Sequence, residues 1–164
     1  MQQAIWELLK EKRITEKMEK KHNGKIAVIR VRGQVGINRD IVKTLNLLRL
    51  YSKNFCVVVP NNKSFNGMVK SVKDYVTWGE IDDNVYDMLA EKRGEEYKGR
   101  LQDSKGKIKY SSFLDFKGKK IKKFFRLNSP RKGYGRKGTK VSFKVGGALG
   151  YRGEKIKDII ERMI

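Results

Sequence analysis

The sequence predicts an α+β fold with one main domain, on three observations. Residues 26–32 form a short run dense in β-branched residues, the stretch that follows alternates between strand-like and helix-like apolar spacing, and most of the excess positive charge is set apart from both. A chain of 164 residues fits about one domain. We assign residues 25–164 to that domain and residues 1–24 to a basic helical N-terminal extension, in which Ile5, Leu8 and Leu9 make a modest apolar patch.

Ile26-Ala-Val-Ile-Arg-Val-Arg32 puts apolar side chains on both of its faces, which reads as a strand buried on much of each side. Gly33 stops it, and Asn38 is placed to cap a helix over 39–50, where Ile41, Leu45 and Leu48 repeat at helical spacing. Phe55-Cys-Val-Val-Val59, ended by Pro60, reads as a second strand. Met68, Val69, Val72, Tyr75 and Val76 then predict a helix over about 65–76. A third helix starts at Asp82 or Asp83, carries Val85, Met88 and Leu89, and ends near Gly94. Beyond it, Ile108, Tyr110 and Phe113 hint at a weak strand, Phe124–Leu127 at a third core strand and Val141–Val145 at another. A short amphipathic helix from about Glu154 presents Ile156, Ile159, Ile160 and Met163 on one side.

The charge is the next constraint. Lys plus Arg number 39 against 18 Asp plus Glu, a formal net charge of +21. Charged residues make up 35% of the chain, against about 25% in an average domain. Two thirds of the excess sits in residues 105–144, with 15 basic residues and one acid. Such a tract repels itself unless a polyanion neutralises it, so it marks where a partner binds and is expected to be poorly ordered alone. The balance excludes the neutral surface of an ordinary metabolic enzyme. One Cys (Cys56) and one His (His22) can build neither an internal disulfide nor a Cys/His zinc site, and they suit a reducing interior. No apolar run approaches the ~20 residues that span a bilayer, so no membrane partner is expected.

Gly133-Tyr-Gly-Arg-Lys-Gly138 has the spacing of a dinucleotide-binding loop, but it lies in a basic stretch after Pro130 and no acid follows until Glu154. Thin glycine backbone there lets Arg131, Lys132, Arg136, Lys137 and Lys140 lie along phosphates. Gly146–Lys155 leads into the last helix without the Lys-Ser/Thr ending of a Walker loop; a phosphate contact beside Arg152 and a purely structural turn both fit. Arg30, Arg32 and Arg39 flank the first strand and its turn, where an outward Arg reaches a nucleic-acid backbone. Trp78, Tyr134 and Tyr151 could stack on an unpaired base, although Trp78 fits a core or cap role better. Cys56 reads as an inert buried thiol and His22 as solvated. No nucleophile with a base, paired carboxylates or metal cluster emerges, so neither an enzyme activity nor a cofactor nor a metal is expected.

Ile26–Gly33, Thr44–Leu50 and Phe55–Val59 together resemble the large-subunit ribosomal protein L-thirty family of archaea and bacteria, whose eukaryotic relative is L-seven. Lys73-Asp-Tyr-Val-Thr-Trp-Gly-Glu-Ile-Asp82, Phe125–Gly133 and Gly146-Gly-Ala-Leu-Gly-Tyr-Arg-Gly-Glu-Lys-Ile156 are similar to its archaeal and eukaryotic branch, and especially to archaeal members. The resemblance implies a ferredoxin-like β-α-β-α-β core with a small antiparallel sheet and helices on one face. It also implies a cytoplasmic place on the large ribosomal subunit, against the large rRNA, near 5S rRNA and among neighbouring ribosomal proteins. Membership of the matched blocks, together with charge, adds Arg126 and Lys155 to the expected RNA contacts, beside Arg30, Arg32, Arg131, Lys132 and Arg152. The alternative function carrying the same charge is a free-standing nucleic-acid chaperone or DNA-compacting protein.

Overall fold

The computed structural model describes residues 24–164, so the expected N-terminal helix and His22 lie outside the described residues. β1 (Lys25–Arg30) is joined through α1 (Arg39–Leu47) to β2 (Phe55–Pro60), and β2 through α2 (Lys63–Ser71) to β3 (Val76–Ile81). α3 (Asp83–Arg93), a hairpin of β4 (Phe113–Phe116) and β5 (Lys119–Lys122), the two-residue strands β6 (Phe125–Arg126) and β7 (Gly150–Tyr151), and α4 (Ile156–Met163) complete the order. The main sheet runs β6-β2-β1-β3-β7. All its pairings are antiparallel except β3 with β7, so the sheet is mixed. Val28 at its centre faces Val57 on one side and Trp78 on the other.

Burial of β1 on both faces, foreseen from its composition, divides the core in two. Ile26 and Val28 pack with Leu45, Leu48, Val57, Val69 and Val72 under α1 and α2. Ala27, Ile29 and Val31 pack with Cys56, Val85, Leu89, Phe125, Ile156 and Ile160 under α3 and α4. The expected one-sided arrangement of helices is therefore corrected: with no polar face on β1, water has to be excluded from both sides. Asn38 caps α1 as expected, its side-chain oxygen accepting from the Asp40 N–H at 3.1 Å. Gly94 ends α3.

Four boundaries differ from expectation. The second helix stops at Ser71, and Val76, placed on its apolar stripe, begins β3, which is the third core strand in place of Phe124–Leu127. That later stretch contributes only the edge strand β6. Ile108 and Tyr110 are exposed, and the strand starts at Phe113. Val141–Val145 is no strand: Phe143–Val145 forms a turn of 3-10 helix, bridged only from Ser142 to Leu149. Nor is the basic tract uniformly loose. The β4–β5 hairpin turns through Lys117 and Gly118, both at positive φ (47° and 78°), a conformation Gly adopts without strain. Ile121, Phe125, Leu127 and Tyr134 anchor the tract in the core.

β3 and the C-terminal turn meet at backbone distance. A Cβ on Gly79 would sit 2.1 Å from the Gly153 carbonyl oxygen, so only glycine lets the strand pass there.

The two core halves predict additive losses. Leu45→Ala is expected to cost about 2–5 kcal/mol and Ile159→Val about 0.5–1.5 kcal/mol. Because the two residues lie in different clusters, the double variant should lose their sum within about 0.5 kcal/mol, read from denaturant unfolding.

Candidate nucleic-acid interface

Residues 130–145 hold six cations and no acid. Arg131, Lys132, Arg136, Lys137, Lys140 and Lys144 are all exposed, and none takes part in an ion pair among the described residues. The loop backbone beneath them is fixed. Tyr134 is buried and donates its hydroxyl to Asn54 Oδ1; burial pushes that hydroxyl up to about 12, so it stays protonated. Arg152 donates to the Tyr134 and Ala148 carbonyls at 3.1 Å each and to Thr77 Oγ1 at 2.9 Å, with its guanidinium 4.4 Å from the Phe143 ring centroid. Arg162 on α4 donates to the Arg131 and Gly133 carbonyls at 3.2 and 2.9 Å. Loop segments cross so closely that a Cβ on Gly147 would meet the Val141 carbonyl oxygen at 2.1 Å. The six charges are thus held together by other guanidiniums that spend their donors on loop carbonyls.

The remaining expected contact residues separate into distinct environments. Arg30 is 1% exposed. Its side chain donates to the carbonyls of Arg32 (2.9 Å), Leu50 (2.7 Å), Tyr51 (3.0 Å) and Gly33 (3.1 Å). Arg152 is buried in the same manner. Burial lowers the pKa of both groups, and carbonyl dipoles take the place of water around them. Arg30 turns inward and spends its donors on carbonyls, where an outward side chain was expected; Arg152 also turns inward, and only its Nη1 makes no hydrogen bond among the described residues. Arg32 is half-buried, donates to the Asp74 carbonyl at 3.2 Å and lies 4.9 Å from the Tyr75 ring centroid. Arg39 is exposed at the start of α1, away from the loop in sequence, and Lys155 is exposed in the turn before α4.

Arg126 is exposed but already engaged: its Nε and Nη2 donate to Glu95 Oε1 and Oε2 at 2.5 and 2.8 Å. Lys122 donates to the same carboxylate at 2.7 Å. Arg126 first, then Lys122, draw the Glu95 carboxyl down from 4.5 to about 2. Glu95 therefore ties the end of α3 to the hairpin and to β6. Of the aromatic candidates, Tyr151 is about half-exposed, and donation to the Glu80 carboxylate pushes its hydroxyl up to about 12. Trp78 is half-buried. Cys56 is fully buried, which pushes its thiol up to about 12 and leaves it inert. Lys144 was not singled out from sequence, because reading 141–145 as a strand hid its place on the loop; its signal was the lack of any acid between Pro130 and Val145.

Fold and surface define a small α+β protein that presents a rigidly anchored cationic loop. A family model described as Ribosomal protein L30p/L7e matches residues 26–76. The large ribosomal subunit protein uL30 of Nanoarchaeum equitans is 45% identical over 152 residues, covering 84% of this chain and 97% of its own length. The uL30 protein of Methanococcus maripaludis is 44% identical, with 84% and 98% covered, and that of Methanopyrus kandleri is 40% identical, with 82% and 100% covered. The chain belongs to this family of ribosomal proteins, L30p/L7e, also named uL30.

Two substitutions probe these assignments. Arg30→Met should lower the unfolding free energy by about 3 kcal/mol or more, since four carbonyls lose charged donors; an arginine on the surface would change it by about 0.5 kcal/mol or less. For Glu95 the folded pKa lies below the unfolded value, so its contribution is present above about pH 4.5 and drains away as pH falls towards 2. Wild type should accordingly lose more stability than Glu95→Gln across that window, measured by denaturant midpoints at each pH.

Proposed function

We propose that the protein is a structural constituent of the large ribosomal subunit, residing on cytoplasmic ribosomes, where it binds large-subunit rRNA beside neighbouring ribosomal proteins. Its role there is to stabilise the packing of rRNA helices during assembly and translation rather than to catalyse a reaction. The observation that carries this reading is the acid-free loop of six exposed cations, without an ion pair among the described residues and held in place from beneath. Membership of the uL30 family supports the ribosomal setting, and the resemblance of the matched blocks supports a position close to 5S rRNA.

The chemistry is counterion release. Each phosphate met by Arg or Lys frees a condensed cation, so affinity falls with salt by roughly 0.7–0.9 logarithmic units per contact. Loop cations whose backbone is already ordered lose less entropy on binding than those of a loose tail. Arg131, Lys132, Arg136 and Lys137 are the leading phosphate contacts, with Lys140, Lys155, Arg39 and Arg32 in support. Arg126 reaches RNA only by exchanging Glu95 for a phosphate. Arg30 and Arg152 serve RNA binding indirectly, by holding the backbone.

Replacing Arg131, Lys132, Arg136 and Lys137 together with Gln should flatten the salt slope of rRNA binding by about three units, measured by titration at several salt concentrations. An unchanged slope overturns the assignment of the loop. In cell fractions the protein should sediment at one copy per large subunit; a mostly soluble pool would favour a free-standing nucleic-acid chaperone instead.

A further inference from the structure

Trp78 is built into two environments at once. One side packs against the cluster under α1 and α2, and its ring centroid lies 6.4 Å from that of Tyr151, at 51°. The rest of the side chain lines an open cleft of about 390 Å³ between β3 and the cationic loop, together with Lys73, Asp74, Lys140, Ser142 and Lys144. That volume falls in the range of small-ligand sites, about 300–1,000 Å³, and admits a base with its ribose. Lys73, Lys140 and Lys144 make no ion pair among the described residues. The indole N–H donates to no described residue, and no buried side-chain nitrogen or oxygen is left unsatisfied among them, so that N–H opens to water.

An aromatic wall supplies a stacking face, the indole N–H a donor, and the ammonium groups a seat for phosphate. A paired duplex offers no base face to such a wall, because its bases are stacked inside. We propose that this cleft takes a single unstacked RNA nucleotide, with its base against Trp78 and its phosphate at Lys140 and Lys144. The carboxylate of Asp74, unpaired among the described residues, repels phosphate and accepts from an exocyclic amine of the base, which sets the ligand's direction in the cleft. The proposal rests on the rRNA-binding reading and adds to it a site for one extruded base, which shares Lys140 and Lys144 with the loop and is distinct from the leading phosphate contacts at Arg131, Lys132, Arg136 and Lys137.

The chain has two tryptophans, Trp6 and Trp78, so in full-length Trp6→Phe protein Trp78 is the only indole emitter. Titration with a mixed-sequence single-stranded octaribonucleotide should quench its fluorescence, whereas a duplex of equal phosphate number should bind without quenching. Trp78→Leu should weaken single-strand binding by about five- to a hundredfold, the range expected from losing one base–aromatic stack, with duplex binding unchanged. Trp78→Phe should restore most of the loss, and Lys140→Gln with Lys144→Gln should weaken single-strand binding without abolishing the quench at saturation. Single-strand binding without any quench in the Trp6→Phe protein, which needs no change at Trp78, overturns the cleft while leaving the loop reading intact. Failure to bind either RNA overturns both.

Discussion

Between Ala27 and Val31 the central strand has no side chain that ends in water, and this two-sided burial constrains everything built around it. A strand in that position needs an apolar layer above and another below. One layer comes from segments adjacent in sequence, α1 and α2; the other is assembled from α3, α4 and the last strands, brought from up to about 130 residues away. The sheet cannot slip by one residue to relieve a mismatch, since that would exchange the two sets of side chains between layers. The register that pairs Val28 with Val57 and Trp78 is fixed by the same requirement.

Charge is handled inside this frame by solvation rather than by pairing. Arg30 and Arg152 are buried with no ion pair among the described residues, each surrounded chiefly by backbone carbonyl oxygens, and in that setting they act as cross-links between loops. Arg30 joins the end of the central strand to the turn after α1; Arg152 joins β3 and the C-terminal turn to the cationic loop. The six exposed cations of the loop, by contrast, make no ion pair among the described residues. A carboxylate matched by two cations at once, Glu95 with Arg126 and Lys122, lies where the hairpin is held against the domain, and it engages Arg126 although that side chain is exposed. The protein's positive residues thus divide into those that hold the fold and those that stay exposed on the surface.

Local signals were legible in the sequence: the doubly apolar run at 26–32, the Asn38 cap, the Pro60 stop and the amphipathic last helix all follow from neighbouring residues, and the structure carries each of them. What was not legible depends on partners distant in the chain. Val72, Tyr75 and Val76 keep helical spacing across a turn, so β3 was concealed until β1 supplied hydrogen-bond partners. Strands of two residues, β6 and β7, have no pattern of their own. The cationic loop was legible from its composition, but which arginines leave the surface was not: Arg30 and Arg131 have the same side chain, and only the carbonyls converging on Arg30 from the turn near Leu50 distinguish them.

The layer under α3 and α4 draws on Ile156, Ile159, Ile160 and Met163, which emerge from synthesis after every other core residue described. A nascent chain can pair β1, β2 and β3 and cover one side of that sheet while the other is still bare, because domains condense as their contacts become available. The carbonyl anchors that Arg152 and Arg162 provide come from the same late segment, after the loop itself. The cations of the loop thus precede, along the chain, the arginines that fix its backbone, so a nascent chain that stops short of Arg152 has the charge without the shape.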